Sequence, residues 1–140
     1  NQNDDNVYSK ILKDNFLDTK LVKLNRNLAI QGEIIGPKVR GNGYKLSQQE
    51  FYVFDIYDID NKHYLKSPDR LLLVNQLNLK HVPTIEIFNQ NLTLDILLKA
   101  SNGYSLLNNR VMREGLVFKP LKDGLSFKVI SNEWLLKYDS

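Results

Sequence analysis

The chain has no cysteine, which excludes a disulfide framework, a zinc knuckle and a thiol nucleophile together. It has no apolar run approaching the roughly 20 residues that span a bilayer. The opening Asn1 to Asn6 lacks the basic-then-apolar form of a secretory signal. No methionine starts it, so residue 1 is expected not to be the natural start. An excess of one charge is missing too. Lys and Arg number 19 against 16 Asp and Glu, a formal net charge of +3. The charges are scattered, which permits a nucleic-acid partner without requiring one. Linkers, internal repeats and low-complexity segments are all absent, so 140 residues read as one domain large enough to bury a core. A reducing cytoplasm suits such a chain, with no membrane partner.

What is present is a change of period along the chain. Asp4, Asp5 and Asn6 can cap a helix from Val7 to Asp14, and Asp18 a second carrying Leu21, Val22 and Leu24. Leu28 to Ile35 then alternates as a strand, with Leu28, Ile30 and Ile34 towards a core and Gln31 and Glu33 opposite. Gly36-Pro37 ends it, and Arg40 to Gly43 is loop chemistry. Phe51 to Ile59, rich in aromatic and β-branched residues, is a second strand, and Asp60 to His63 a turn. Ser67-Pro68-Asp69 supplies a capping hydroxyl, a first-turn proline and an acid for a helix. That helix, Asp69 to Leu77, carries Leu71, Leu72, Val74 and Leu77. Thr84 to Phe88 reads as a short strand and Leu92 to Ala100 as a helix closed by Asn102-Gly103. Ser131 or Asn132 caps a last turn or two around Trp134, a packing anchor. The class is α+β, a mostly antiparallel sheet with helices packed on it.

The stretch Arg113 to Pro120 and the run Ser126 to Ser131 are antiparallel neighbours in this reading, with Asp123-Gly124 as a tight hairpin turn. Alternation places Glu114, Leu116 and Phe118 on one side of the first strand, and Leu125, Phe127 and Val129 opposite Ser126 and Lys128 on the second. A half-buried glutamate and lysine on neighbouring strands need partners, because an unpaired ion out of water is costly. A phosphate and a divalent cation would supply them.

Four blocks in order carry a resemblance: Gln31 to Pro37, Phe51 to Ile56, Glu114 to Lys119, and Phe127 to Ser131. They resemble motifs III, IIIa, IV and V of the covalent nucleotidyltransferases, the ATP-dependent polynucleotide ligases and capping enzymes. Within these the chain looks most like RNA ligases of the Deinococcus type, with Gly36-Pro37-Lys38-Val39-Arg40-Gly41-Asn42 and a Phe-Lys-Val-Ile-Ser ending. The similarity runs over about residues 5 to 137. It implies the C-terminal portion of a nucleotidyltransferase domain, residues 1 to 140, incomplete and of the ATP-grasp-like ligase kind. It further implies ATP, bound as AMP, with Mg2+ as cofactor and RNA ends as partner. A lysine would keep AMP as a phosphoramidate, pass it to a 5′-phosphate, and a 3′-hydroxyl would displace it.

The resemblance also assigns residues. Glu33 is similar to the acid near the ribose hydroxyls; by itself it reads as a solvated strand carboxylate. Phe54 resembles the aromatic that stacks on adenine, though an aromatic on a strand is usually core. Asp55, on the opposite face, would support the fold. Glu114 resembles the motif IV acid that binds the metal, with a rim salt bridge as the plain alternative, and Gly115 beside it would let a ligand approach. Lys128 resembles the motif V lysine on the α-phosphate, yet Ser126 stands where many relatives have a first lysine. Lys119 completes Glu-Gly-x-Val-x-Lys or is a surface lysine. Lys38 and Arg40 would touch phosphate or RNA, or are solvated, and His63 and His81 read as structural.

The nucleophile motif, Lys-x-Asp-Gly, is not in these residues. Lys122-Asp123-Gly124 lacks the intervening position, follows motif IV, and reads as the hairpin turn. The piece is therefore expected to be inactive alone. DNA sealing and a non-catalytic nucleotide- or nucleic-acid-binding module remain open beside RNA sealing, and a sheet edge left bare would invite self-association.

Overall fold

The computed structural model describes residues 10, 13, 17–37, 45–85, 91–121 and 124–138. They form two compact units, Asn1–Asn42 with Leu46–Val82, and Gly43–Lys45 with Pro83–Ser140. Of the helix expected over Val7 to Asp14, Lys10 and Lys13 are helical, and the rest lies outside the described residues. So do Lys38 and Arg40.

The first unit is built on one long strand. Helix α1 (Leu17–Leu24) leads to β1 (Leu28–Ile35), which pairs antiparallel with β2 (Glu50–Asp58). The second edge of β2 is shared by β3 (His63–Tyr64), antiparallel, and β4 (Lys80–His81), parallel. Helix α2 (Ser67–Gln76) crosses between those two short strands. A buried cluster of Val53, Ile56, Leu65, Leu73, Val74, Leu77 and Leu79 holds the unit, with Leu24, Leu28, Ile30 and Phe51 packed against it.

Strict alternation fails at one place, and the place matters. Gln31 opposes Asp55 while Gly32 opposes Val53, so Phe54 is an extra residue without an opposite number, a β-bulge. The bulge is why Val53 and Ile56, three positions apart, can both be fully buried. It also removes the simple opposition of Phe54 to Asp55.

Several local expectations change. Helix α1 starts at Leu17, so Asp18 lies in its first turn, and Val22 is 80% exposed. The buried apolar residues of α2 are Leu73 and Val74, with Leu77 buried at its C-cap, while Leu71 and Leu72 face solvent. The helix begins one residue earlier than a Ser67 cap requires: Lys66 is the N-cap and makes no side-chain cap. The Ser67 hydroxyl instead accepts from the Arg70 guanidinium at 3.1 Å. Thr84 and Ile85 are not strand, and Glu86 to Phe88 lie outside the described residues. The strand in that region is β4, which came earlier and runs parallel.

The second unit has α3 (Leu94–Ser101), β5 (Gly115–Phe118), β6 (Phe127–Ile130) and α4 (Asn132–Tyr138). Thr93 caps α3 by accepting the Ile96 amide at 3.3 Å, and Ser131 caps α4 by accepting the Trp134 amide at 3.2 Å. Strands β5 and β6 pair antiparallel, Leu116 opposite Val129 and Phe118 opposite Phe127, whose rings stack at 5.3 Å. Helix α3 packs on both strands. The connection between them, Lys119 to Ser126, is too long for the two-residue turn expected at Asp123-Gly124. Lys122 and Asp123 lie outside the described residues.

Deleting core volume should hurt where burial is complete and not where it is absent. Ile56→Ala should lower stability by about 2–5 kcal/mol in urea unfolding, and Val22→Ala by under about 0.5 kcal/mol.

Candidate functional site

In the first unit, residues directly opposite in β1 and β2 share a face. Ile30 with Ile56 and Gly32 with Val53 turn towards the core, leaving Gln31 with Asp55 and Glu33 with Tyr52 on the other face. Glu33 is exposed there, as alternation predicts. Phe54 is 39% exposed at the bulge. Gly32 is explained by the fold itself. A Cβ there would strike the Phe51 ring and lie 2.6 Å from the Tyr52 carbonyl oxygen.

Three residues beside Glu33 were not anticipated. The Tyr52 hydroxyl donates a short hydrogen bond to Glu50, whose other oxygen accepts from Lys80 Nζ at 2.9 Å. Lys80 also sits 5.8 Å from the Tyr52 ring centroid. Glu50 and Tyr52 are two apart on one strand and so readable as a pair, but Lys80 arrives through the parallel strand β4, for which the sequence offers no turn signal. The Tyr52 hydroxyl is pushed up to about 12, first by burial and then by its bond to Glu50. Hydrogen bonds from Tyr52 and then Lys80 hold the Glu50 carboxyl below the usual carboxylate range.

Near the bulge, Arg70 is buried with 5% of its side chain exposed and lies 4.0 Å from Asp55. Its Nε donates to His81 Nε2 at 3.0 Å, and His81 Nδ1 faces the Val82 carbonyl at 2.7 Å. The accepting Nε2 fixes the neutral tautomer with hydrogen on Nδ1. Burial pulls the guanidinium below its ordinary value, with Asp55 acting the other way. His81 is thus held between Arg70 and the Val82 carbonyl, and Asp55 belongs to this group.

In the second unit, Lys128 Nζ donates to Glu114 Oε1 at 2.7 Å, with 49% and 42% of the two side chains exposed. The glutamate and lysine expected to need outside partners satisfy each other. Glu114 lies just before β5, so the alternation that grouped it with Leu116 and Phe118 does not bind it, and it reaches the lysine that alternation had set on the other side. Half-exposed pairs of this kind contribute about 0–1 kcal/mol, so this one opens at little cost. Gly115 has a different reason from the one expected: a Cβ would lie 2.9 Å from Ile130 Cα and strike the Val129 carbonyl oxygen, so it admits the neighbouring strand. Lys119 follows β5 directly and is half-buried.

One carboxylate beside an ammonium is not an all-protein metal cage, and no cluster of three or more metal-ligating acids or histidines exists among the described residues. It does fit magnesium or manganese, ions that take one or two carboxylates and fill the rest of their shell from phosphates and water. Glu114 is the residue that would hold it.

The comparisons agree with this architecture. A family model described as RNA ligase matches residues 2–130. The chain belongs to the RNA ligase family. Solved RNA ligase structures from Naegleria gruberi match over nearly its whole length. A lysine-to-alanine variant with ATP and Mn aligns at TM-score 0.91 and 45% identity, covering 99% of this chain and 43% of that one. The form with pyrophosphate aligns at TM-score 0.90 and 45% identity, covering 99% and 42%. A lysine-to-methionine variant with AMP and Mn gives the same score and identity, covering 99% and 43%. The chain thus spans less than half the length of those ligases. No curated protein matches it. No helix among the described residues is long and apolar enough to cross a membrane.

The raised Tyr52 sets a pH test. Its folded value lies above the unfolded 10.0, so its contribution is whole below pH 10 and lost as pH climbs through about 12. Tyr52→Phe should remove about 2–3 kcal/mol of that alkaline loss, measured as a shallower fall of urea midpoint with pH over this window.

Proposed function

We propose that this chain is the C-terminal portion of the nucleotidyltransferase domain of an ATP-dependent RNA ligase, carrying motifs III to V. The observation behind the reading is the Glu114–Lys128 pair, an acid and a base from two strands held at 2.7 Å, in a chain of this family. A spacing supports it. In the Naegleria ligase, a glutamate and a lysine each replaced by alanine stand fourteen positions apart, the separation of Glu114 and Lys128.

The roles follow from what each side chain can do. Lys128 turns its ammonium from Glu114 to the α-phosphate of ATP, and Lys119 adds positive charge to the nucleotide phosphates. Glu114, released from Lys128, would hold Mg2+ or Mn2+, which would supply positive charge against the phosphates. Glu33 accepts from the ribose hydroxyls and Phe54 lies against adenine. A lysine outside these 140 residues attacks the α-phosphate and expels pyrophosphate. AMP then passes to the 5′-phosphate of RNA, and a 3′-hydroxyl displaces it to close the strand. Fixed charges that favour the transition state are the main contribution such a site can make. A cytoplasmic location is part of this reading, and a chain without cysteine is compatible with it. Strand β1 has no neighbour on its outer edge among the described residues, and the isolated piece self-associates through it.

The full-length ligase given labelled ATP and Mg2+ should become covalently labelled, and the 140-residue piece should not. Glu114→Ala should cut sealing of 3′-hydroxyl and 5′-phosphate RNA ends by about 100-fold or more. Faster sealing of DNA ends, or a full-length protein that binds ATP without labelling, would overturn the RNA ligase reading. Sedimentation of the piece should be concentration-dependent.

A further inference from the structure

Glu114 is half-exposed, so burial does not aim its carboxylate; its backbone does. The residue before it, Arg113, spends its whole guanidinium on backbone carbonyls. Nε donates to Ser101 at 3.1 Å, Nη2 to Ala100 at 2.5 Å and Asn102 at 2.6 Å, and Nη1 to Tyr104 at 3.4 Å. The Ala100 and Ser101 carbonyls are among the last of α3, which have no partner within the helix, and a cation suits that negative end. The Arg113 amide also donates to the Gly103 carbonyl at 2.9 Å.

The other side of Glu114 is tied to the same helix end. Its carbonyl accepts from the Ser131 amide at 2.7 Å. The Ser131 hydroxyl, fully buried, donates to Asn102 Oδ1 at 2.7 Å while it accepts from Trp134. Asn102 therefore holds Arg113 with its backbone and Ser131 with its side chain. Three residues before Ser131 stands Lys128. The acid and the base both take their position from the C-terminus of α3.

We infer that Arg113 is a positioning residue for Glu114: its four-carbonyl grip on the end of α3 sets where the Glu114 carboxylate stands for metal and phosphate. The inference rests on the proposed function. A lysine cannot replace the fork, because one ammonium on a flexible stem cannot span carbonyls that a planar guanidinium reaches together.

The test uses the full-length ligase with Mn2+ as probe, free Mn2+ being read by paramagnetic resonance and sealing measured against metal concentration. Arg113→Lys should weaken Mn2+ binding about tenfold and slow sealing in proportion. Joined to Glu114→Gln it should add no further loss, since both act on one carboxylate. Thr93→Ala removes the other cap of the same helix and should lower the melting temperature while leaving Mn2+ binding unchanged. Ser131→Ala, the second variant should Arg113→Lys fail to fold, should weaken Mn2+ binding several-fold. If the wild type binds Mn2+ and seals RNA, and Arg113→Lys or Ser131→Ala matches Thr93→Ala in losing only thermal stability, the positioning role is overturned alone. Losses that multiply with Glu114→Gln overturn it likewise. A wild type that neither binds Mn2+ nor seals RNA overturns this inference and the proposed function together.

Discussion

The final carbonyls of a helix must find donors, and in the second unit that requirement organises everything around it. Helix α3 ends at Ser101, and Arg113 answers its carbonyls from twelve residues further on. The bond closes a loop, brings the start of β5 to the helix, and leaves Glu114 at the lip of a two-stranded sheet. Such a hairpin is weak unaided. Its strength comes from α3 beneath it and from Ser131, which joins β6, α4 and Asn102 at one fully buried hydroxyl.

The first unit solves a different problem, how one strand can supply a core and an outer face within a few residues. The bulge at Phe54 is the answer. One inserted residue lets Val53 and Ile56 both enter the core, and the intervening aromatic is turned out. The same displacement gives Asp55 its place near the buried Arg70 instead of on a surface of its own. Tyr52, Glu50 and Lys80 stiffen the neighbouring end of that face, next to Glu33, in a chain of bonds that leaves the tyrosine proton hard to remove.

Much of this was legible. The α+β class, the strands expected over Leu28 to Ile35 and Phe51 to Ile59, and the antiparallel pairing of the run from Arg113 with the run from Ser126 follow from period 2 and β-branched content. The register does not, because a two-residue turn at Asp123-Gly124 would set Phe118 opposite Val129 where the longer connection sets it opposite Phe127. What escaped has physical causes. Alternation cannot announce an inserted residue, so the bulge was invisible. A parallel contact two residues long, as in β4, has no hairpin turn to mark it. The apolar set of α2 was misjudged because Leu71, Leu72, Leu73 and Val74 offer every helical phase at once, and only packing against β2 selects among them. Arg113 lies at the start of the run that pairs with Ser126 to Ser131, but an arginine that serves backbone carbonyls has no sequence partner to reveal it. Glu114 and Lys128 stand out in the sequence as ions in need of partners, and the rim salt bridge that is the plain alternative for Glu114 is the contact observed.

Their mutual contact changes what occupancy of such a place involves. Two free ions would each have to shed water before receiving a guest. Here acid and base already shield one another at the surface, so under the proposed function a phosphate with its metal would exchange partners with the pair and would not meet two bare ions. Its departure would restore the self-neutralised pair.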